Sequence, residues 1–201
     1  MRFDTLALFA GCGLLLAGCA ERPLPKWEPP LAHTEFQRVR TTAYFDGESD
    51  HRPYTNHNAL GTTLQTGQVN SAAADWARWP AGTMFRLLQT NQVYLVDDYG
   101  WALAGRNTID LYMPTRQQMD CWGAQHVDIQ VLRWGDARDS YATLRPRARY
   151  RHVARMLKEL EPQLASGSRR EQAPEPVAHA EMPDRSAPAP AVRLQPFMSS
   201  L

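Results

Sequence analysis

The chain has 201 residues, with 22 Lys and Arg against 21 Asp and Glu and a formal net charge of +1. That balance supplies no strong basic field to hold nucleic acid and no acidic field to repel it. Its three cysteines are Cys12, Cys19 and Cys121; with the first two lost to the N-terminal processing argued below, one remains, which excludes a CxxC or Cys/His zinc site by count.

Residues 6–16 form an apolar run interrupted only by small residues and Cys12. The run has the length of a signal-peptide h-region and is too short to span a bilayer as a helix. It ends in Leu16-Ala17-Gly18-Cys19, the lipobox pattern of bacterial lipoproteins, in which small residues precede a cysteine that is lipidated and becomes the new N-terminus. Residues 1–18 are thus expected to be a signal peptide, and Cys19 the lipid attachment point. The alternative is a core helix opening a cytosolic domain. Pro23, Pro25, Pro29 and Pro30 argue instead for a solvated Pro-rich tether over residues 19–35, which spans at most about 50 Å from Ala20 to Glu35. An aspartate after the lipidated cysteine tends to retain a lipoprotein at the inner membrane, so Ala20 favours the outer membrane, with the chain facing the periplasm. Loss of Cys12 with the signal peptide leaves Cys121 alone. Between Met119 and Trp122 it is expected to be buried.

Residues 36–135 hold almost all the aromatic and β-branched residues and are expected to form one folded core, about 100 residues being a usual domain size. Residues 36–45, with Val39, Thr41, Thr42 and Tyr44, are strand-like. Residues 84–88 and 93–96 are short apolar runs around the polar Gln89-Thr90-Asn91-Gln92 and predict a hairpin. Thr115 can cap a short helix over residues 115–122 that Gly123 ends. Val127, Ile129 and Val131 alternate with Asp128 and Gln130, predicting a half-buried strand over residues 126–134. Short strands, glycine-rich turns and one small helix predict a mainly β fold, a small barrel.

Residues 136–164 are expected to be helical. Tyr150, Val153, Met156, Leu157 and Leu160 recur every three or four residues, which favours a helix packed on the barrel over an amphipathic membrane or partner helix. Residues 165–201, rich in Pro, Ala, Ser and Glu, are expected to be a disordered tail.

No nucleophile, zinc-protease or phosphate-loop motif is present, and nothing in the pattern calls for a cofactor. His51 and His57 share an Asn-rich loop, but two histidines without close carboxylates make a weak metal signal. The chemistry must come from acids. Asp98 ends an apolar strand, preceded by Asp97, and Asp110 lies between Ile109 and Leu111. Burial of such carboxyls favours their protonated forms and can make one a general acid. The competing reading is that both are turn formers or strand-edge charges.

Several elements in order are similar to the 3D domain, named for its three aspartates. They are Thr42-Ala43-Tyr44, Ala59-Leu60-Gly61-Thr62, Ala73-Ala74-Asp75-Trp76, Trp79-Pro80-Ala81-Gly82-Thr83, the stretch from Asp98 through Gly100 and Gly105 to Asp110, Trp122-Gly123 and the strand from Val127 to Leu132. The resemblance runs from Thr41 to Trp134. It implies a six-stranded double-psi β-barrel of the type found in membrane-bound lytic transglycosylase A and in rare lipoprotein A-like proteins, which act on or bind peptidoglycan glycan strands.

Carried over by position, the three aspartates are Asp75, Asp98 and Asp110, with Asp97 an alternative register for the second. The resemblance implies that Asp110 cleaves the MurNAc–GlcNAc β-1,4 bond as acid and then base, giving a 1,6-anhydro product. It also implies that Asp98 favours the protonated form of its neighbour and orients substrate, and that Asp75 holds the local loop or a sugar hydroxyl. Tyr99, Trp101 and Tyr112 are candidates to stack on sugar rings, or else ordinary packing residues. The alternative function is a non-catalytic peptidoglycan-binding envelope lipoprotein, with or without an envelope protein partner. A third is a metal-assisted hydrolase using His51, His57 and the acids.

Overall fold

The computed structural model describes residues 22–48 and 55–171, with side chains described as far as residue 165. The lipobox with Cys19, the candidate ligand His51 and residues 172–201 lie outside the described residues.

Six strands form a closed barrel. They are β1 (Phe36–Tyr44), β2 (Val69–Ala73), β3 (Met84–Leu87), β4 (Val93–Asp98), β5 (Thr108–Tyr112) and β6 (Gln125–Arg133). Their order around the barrel is β1-β5-β2-β4-β3-β6, and β6 closes on β1. Two pairs, β1 with β5 and β2 with β4, are parallel, and the rest are antiparallel. Closure of this mixed sheet leaves no free strand edge. The arrangement is a mainly β barrel with helices added, consistent with the double-psi type.

The alternating residues do the work expected of them. Val127, Ile129 and Val131 on β6 are buried, and the predicted hairpin appears as β3 and β4, whose Phe85 and Tyr94 rings stack at 5.6 Å between centroids. Ile109 and Leu111 on β5 join the same core. Strand β2 was not anticipated. Its sequence, Val-Asn-Ser-Ala-Ala, lacks large apolar residues, and it is held as a strand by pairing with β4 on one side and β5 on the other.

The short helix α1 (Arg116–Trp122) begins at Thr115, whose hydroxyl accepts from the Gln118 amide. It stops at Gly123, where φ is +60°. Such a backbone angle favours glycine, which has no Cβ to clash. None of its residues is buried, and Cys121 is exposed. The expected burial of Cys121 fails because α1 lies on the surface and spends its apolar contacts through Trp122, whose indole N–H donates to the Thr41 hydroxyl at 3.2 Å.

The C-terminal helical stretch is two helices rather than one. Helix α2 (Ala137–Leu144) is capped by Asp136, which accepts from the Arg138 and Asp139 amides. Arg145-Pro146-Arg147 forms a single 3-10 turn, and α3 (Arg151–Glu171) follows, ending beyond the expected residue 164. Pro146 has no N–H to continue a helical ladder, which separates the two. Val153, Met156, Leu157 and Leu160 are buried in the barrel's own hydrophobic cluster, so α3 packs on the barrel. Tyr150, the first residue of the expected stripe, is exposed. Among the described residues no helix is long and apolar enough to cross a membrane.

Residues 22–35 contain no helix or strand, yet they are docked rather than free. Trp27 donates to the Glu159 carboxylate of α3 at 3.1 Å, and the Pro25 carbonyl accepts from Arg155 at 2.7 Å. Glu28 accepts from the Asn107 amide at 2.8 Å and pairs with Arg106. Arg22 lies 3.8 Å from the centre of the Trp101 ring, and His33 stacks on Trp134. This part of the expected tether therefore contributes no reach in the docked state. Composition alone missed that, because Trp27 and Glu28 find partners far along the chain.

Candidate active site

Four consecutive strands of the barrel, β1, β5, β2 and β4, bring Asp98 and Asp110 together. In the parallel pairing of β1 with β5, Thr42 stands opposite Asp110 and Tyr44 opposite Tyr112. Residues two apart share a face, so these four side chains share one patch. On the other side of β5, Asp110 stands opposite Ala73 of β2, and Ala73 in turn stands opposite Asp98 of β4. Two strand spacings, about 9.6 Å, separate the two acidic Cα positions. The floor beneath them is a small cluster of Tyr44, Leu64, Ala73, Leu103 and Tyr112, distinct from the main core.

Asp98 is 7% exposed and held by donors on both oxygens. Its Oδ1 accepts from the Ala59 amide at 3.1 Å and the Tyr99 amide at 2.9 Å, and its Oδ2 accepts from the Tyr44 hydroxyl at 3.3 Å. Burial outweighs these donors and pushes the Asp98 carboxyl from the ordinary 3.8 up to about 6. The buried Tyr44 hydroxyl is pushed well above 10, by burial first and then by the charges of Asp98, Asp97 and Asp110. Tyr44 is consequently a neutral donor wedged among three carboxylates.

Asp110 is half-buried and accepts from the Thr42 hydroxyl at 2.6 Å. It is the one member of the three-aspartate set with substantial access to solvent, since Asp75 and Asp98 are both buried.

The choice between Asp97 and Asp98 has a structural origin. The pairing of β2 with β4 shifts by one residue between Ala72 and Ala73, so Asp97 is bulged out of the ladder. A bulge redirects adjacent side chains, and both carboxyls turn inward. Asp98 faces the Tyr44 patch. Asp97 faces Asn58 and Ser71, accepting from them at 2.8 and 2.7 Å. Asn58 also organises its own loop, accepting from the Leu60 and Thr62 amides. Burial raises the Asp97 carboxyl above its ordinary value.

Asp75 is 0% exposed. It accepts from the Ala77 amide and from the Gly105 amide, and its carboxylate lies 3.5 Å from the Arg78 guanidinium. Arg78 in turn reaches Asn107, the Glu28 carbonyl and Glu159. Burial pushes the Asp75 carboxyl up to about 6 against the pull of its two amides and Arg78. Of the two roles implied for Asp75, this geometry offers the one of holding a loop, at Gly105, where φ is +76°.

The three candidate stacking residues separate. Tyr112 lies with the acids, its ring 5.6 Å from that of Tyr44. Tyr99 turns the other way, edge-on to Trp76 and near Arg147 and His152. Trp101 faces Arg22 of the docked N-terminal segment. His57 is engaged with the Thr55 hydroxyl at 3.0 Å. A groove of about 780 Å³ runs between the N-terminal segment and α3, lined by Trp27, Arg151, Lys158 and neighbours, but none of the four aspartates lines it.

A search for acids alone overlooks Thr42, Tyr44, Asn58 and Ser71. Thr42 and Tyr44 were visible as a same-face pair on a strand. Asn58 and Ser71 carried no signal that periodicity could detect.

Fold and site together define a small closed β-barrel that gathers aspartates, a threonine and two tyrosines beside one another on three strands. Residues 70–133 match the family model of the 3D domain, the family of barrels like that of membrane-bound lytic transglycosylase A. The match covers β2 to β6 and contains Asp75, Asp98 and Asp110, while β1, with Thr42 and Tyr44, precedes it. No curated protein is similar enough to the chain to be reported beside it.

Proposed function

We propose that the protein cleaves peptidoglycan glycan strands as a lytic transglycosylase, with Asp110 as its acid and base. The 3D-domain match supports a peptidoglycan-related barrel. The observation that carries the finer reading is the accessible Asp110, fixed by Thr42 and placed in one row with the buried Asp98.

Protonated Asp110 donates its proton to the glycosidic oxygen as the bond to MurNAc C1 breaks, and the GlcNAc end leaves as an alcohol. The resulting carboxylate takes the proton of the MurNAc C6 hydroxyl. O6 then bonds to C1 and closes the 1,6-anhydro ring. The carboxyl ends as it began, and no water is consumed, unlike the two-carboxylate hydrolases. Asp98, surrounded by donors, orients the site through Tyr44 rather than meeting the sugar oxygen. Tyr112 supplies an aromatic edge beside the acids.

The lipobox supports an anchor on Cys19 at the outer membrane, facing the periplasm, which would keep the barrel near its insoluble substrate. Incubation of the purified protein with sacculi, followed by mass spectrometry of the soluble muropeptides, tests the activity. Release of 1,6-anhydro products is expected. Binding to sacculi without any release would instead favour the peptidoglycan-binding lipoprotein.

A further inference from the structure

The two amides that hold Asp98 belong to Ala59 and Tyr99. A single side chain grips both of those residues from outside the barrel. Arg147, in the 3-10 turn between α2 and α3, donates through Nη2 to the Ala59 carbonyl at 3.0 Å and through Nη1 to the Tyr99 hydroxyl at 3.4 Å. Its guanidinium also lies 5.9 Å from the centre of the Tyr99 ring. Arg147 itself is half-buried and lies beyond residue 133, where the family match ends.

We infer that Arg147 is a positioning residue through which the C-terminal helices set the Asp98 carboxylate. The inference rests on the active-site reading above and adds a part of the chain that the matched domain does not contain. Ala59 lies on a loop with no strand ladder of its own, and Tyr99 follows the last residue of β4. Asn58 already braces the Ala59 loop from within, and Arg147 adds a tie from outside, at the Ala59 carbonyl and the Tyr99 hydroxyl. A planar guanidinium can bond two acceptors at once in a fixed geometry, which a lysine ammonium does not match. Pro146 fixes the turn that presents it, and α3 anchors that turn through Val153 and Met156 in the core.

The test compares Arg147→Ala and Arg147→Lys with the full chain, using Arg149→Ala as a control, since Arg149 contacts the exposed Tyr150. The first readout is the titration midpoint of the Asp98 carboxyl, followed by carbon NMR. The Tyr44 hydroxyl and the Asp97 carboxylate bear on Asp98, Asp110 lies across Ala73 from it, and all three remain in every variant. Loss of Arg147 loosens Ala59 and Tyr99, whose amides favour the charged form of Asp98, so the midpoint moves upward. Arg147→Lys moves it less, and Arg149→Ala leaves it in place. The second readout is release of anhydro products, where Arg147→Ala lowers kcat about tenfold with little change in KM. An Asp98 midpoint that stays or falls in folded Arg147→Ala overturns the inference. If the unaltered protein releases no anhydro product, the transglycosylase reading fails while the titration still decides the role of Arg147.

Discussion

Asp98 and Asp110 flank the same residue, Ala73, from opposite sides of β2. Only a mixed barrel in which β2 lies between β4 and β5 creates that relationship. Ala73 is buried between them, packed with Tyr44 and Tyr112, and the Tyr44 hydroxyl reaches in from β1 to meet Asp98. The roles proposed for the two acids follow from the differences between them. One is enclosed by donors, and the other is more accessible and accepts from the Thr42 hydroxyl.

That hydroxyl gives the first prediction. Thr42→Val keeps the shape of a β-branched strand residue but removes the donor to Asp110. Activity should fall about tenfold to a hundredfold, as expected when a reacting group loses its fixed geometry. Stability should fall by only about 1 kcal/mol. Thr42→Ser should retain most of the activity. Kinetics on sacculi together with thermal melts check both halves, and equal activity in Thr42→Val would remove Thr42 from the site.

A second prediction concerns pH. Asp98 is raised from 3.8 to about 6 in the folded chain, so the folded state binds its proton more tightly than the unfolded state does. Its contribution favours folding most below about pH 4 and is lost as the pH rises through about 6, a change of up to about 3 kcal/mol. Asp98→Asn removes that contribution. The neutral side chain can keep both backbone amides on its oxygen, while the Tyr44 hydroxyl turns to accept from its NH2 group. Denaturant melts should therefore show the variant gaining stability relative to the parent as the pH goes from 4 to 7. A constant difference across that range would contradict the burial argument.

Asp75 gives a third. Its removal takes away one of the two carboxylates that pair with the buried Arg78 guanidinium, leaving only the half-buried Glu159, and frees the amides of Ala77 and Gly105. Asp75→Ala should cost about 3–5 kcal/mol. Gly105→Ala should weaken the same corner by another route. Its positive φ disfavours a side chain, and the added Cβ would lie 2.9 Å from Arg155 Nη1 and 3.2 Å from Trp27. Both variants should expose residues 22–35 to protease before the barrel unfolds, which limited proteolysis would detect. Uniform resistance in both would show that the corner does not hold the N-terminal segment.

The parts of the fold legible in the sequence were those written in local patterns. Alternation placed β6, apolar runs around a polar turn placed the β3–β4 hairpin, and Thr115 and Gly123 bounded α1. The three aspartates were singled out by the resemblance of several short motifs in order, and the structure sets two of them, Asp98 and Asp110, on either side of Ala73. What was not legible depended on distant partners. Strand β2 exists because β4 and β5 pair with it, and the N-terminal segment docks because Glu28 and Trp27 meet residues more than 70 positions away. Cys121 was judged from its sequence neighbours, but a surface helix turned it outward. The bulge at Asp97 could not be read from a run of two aspartates, and it is what turns both carboxyls inward.

The most direct measurement is the muropeptide profile released from sacculi by the protein and by its Asp110→Asn variant, with folding of both verified by circular dichroism. Asparagine can still accept from Thr42 but has no carboxylic proton to give. The account predicts 1,6-anhydro products from the parent and at least about a thousandfold less from the variant, the scale of losing a general acid. Undiminished release by folded Asp110→Asn would contradict it.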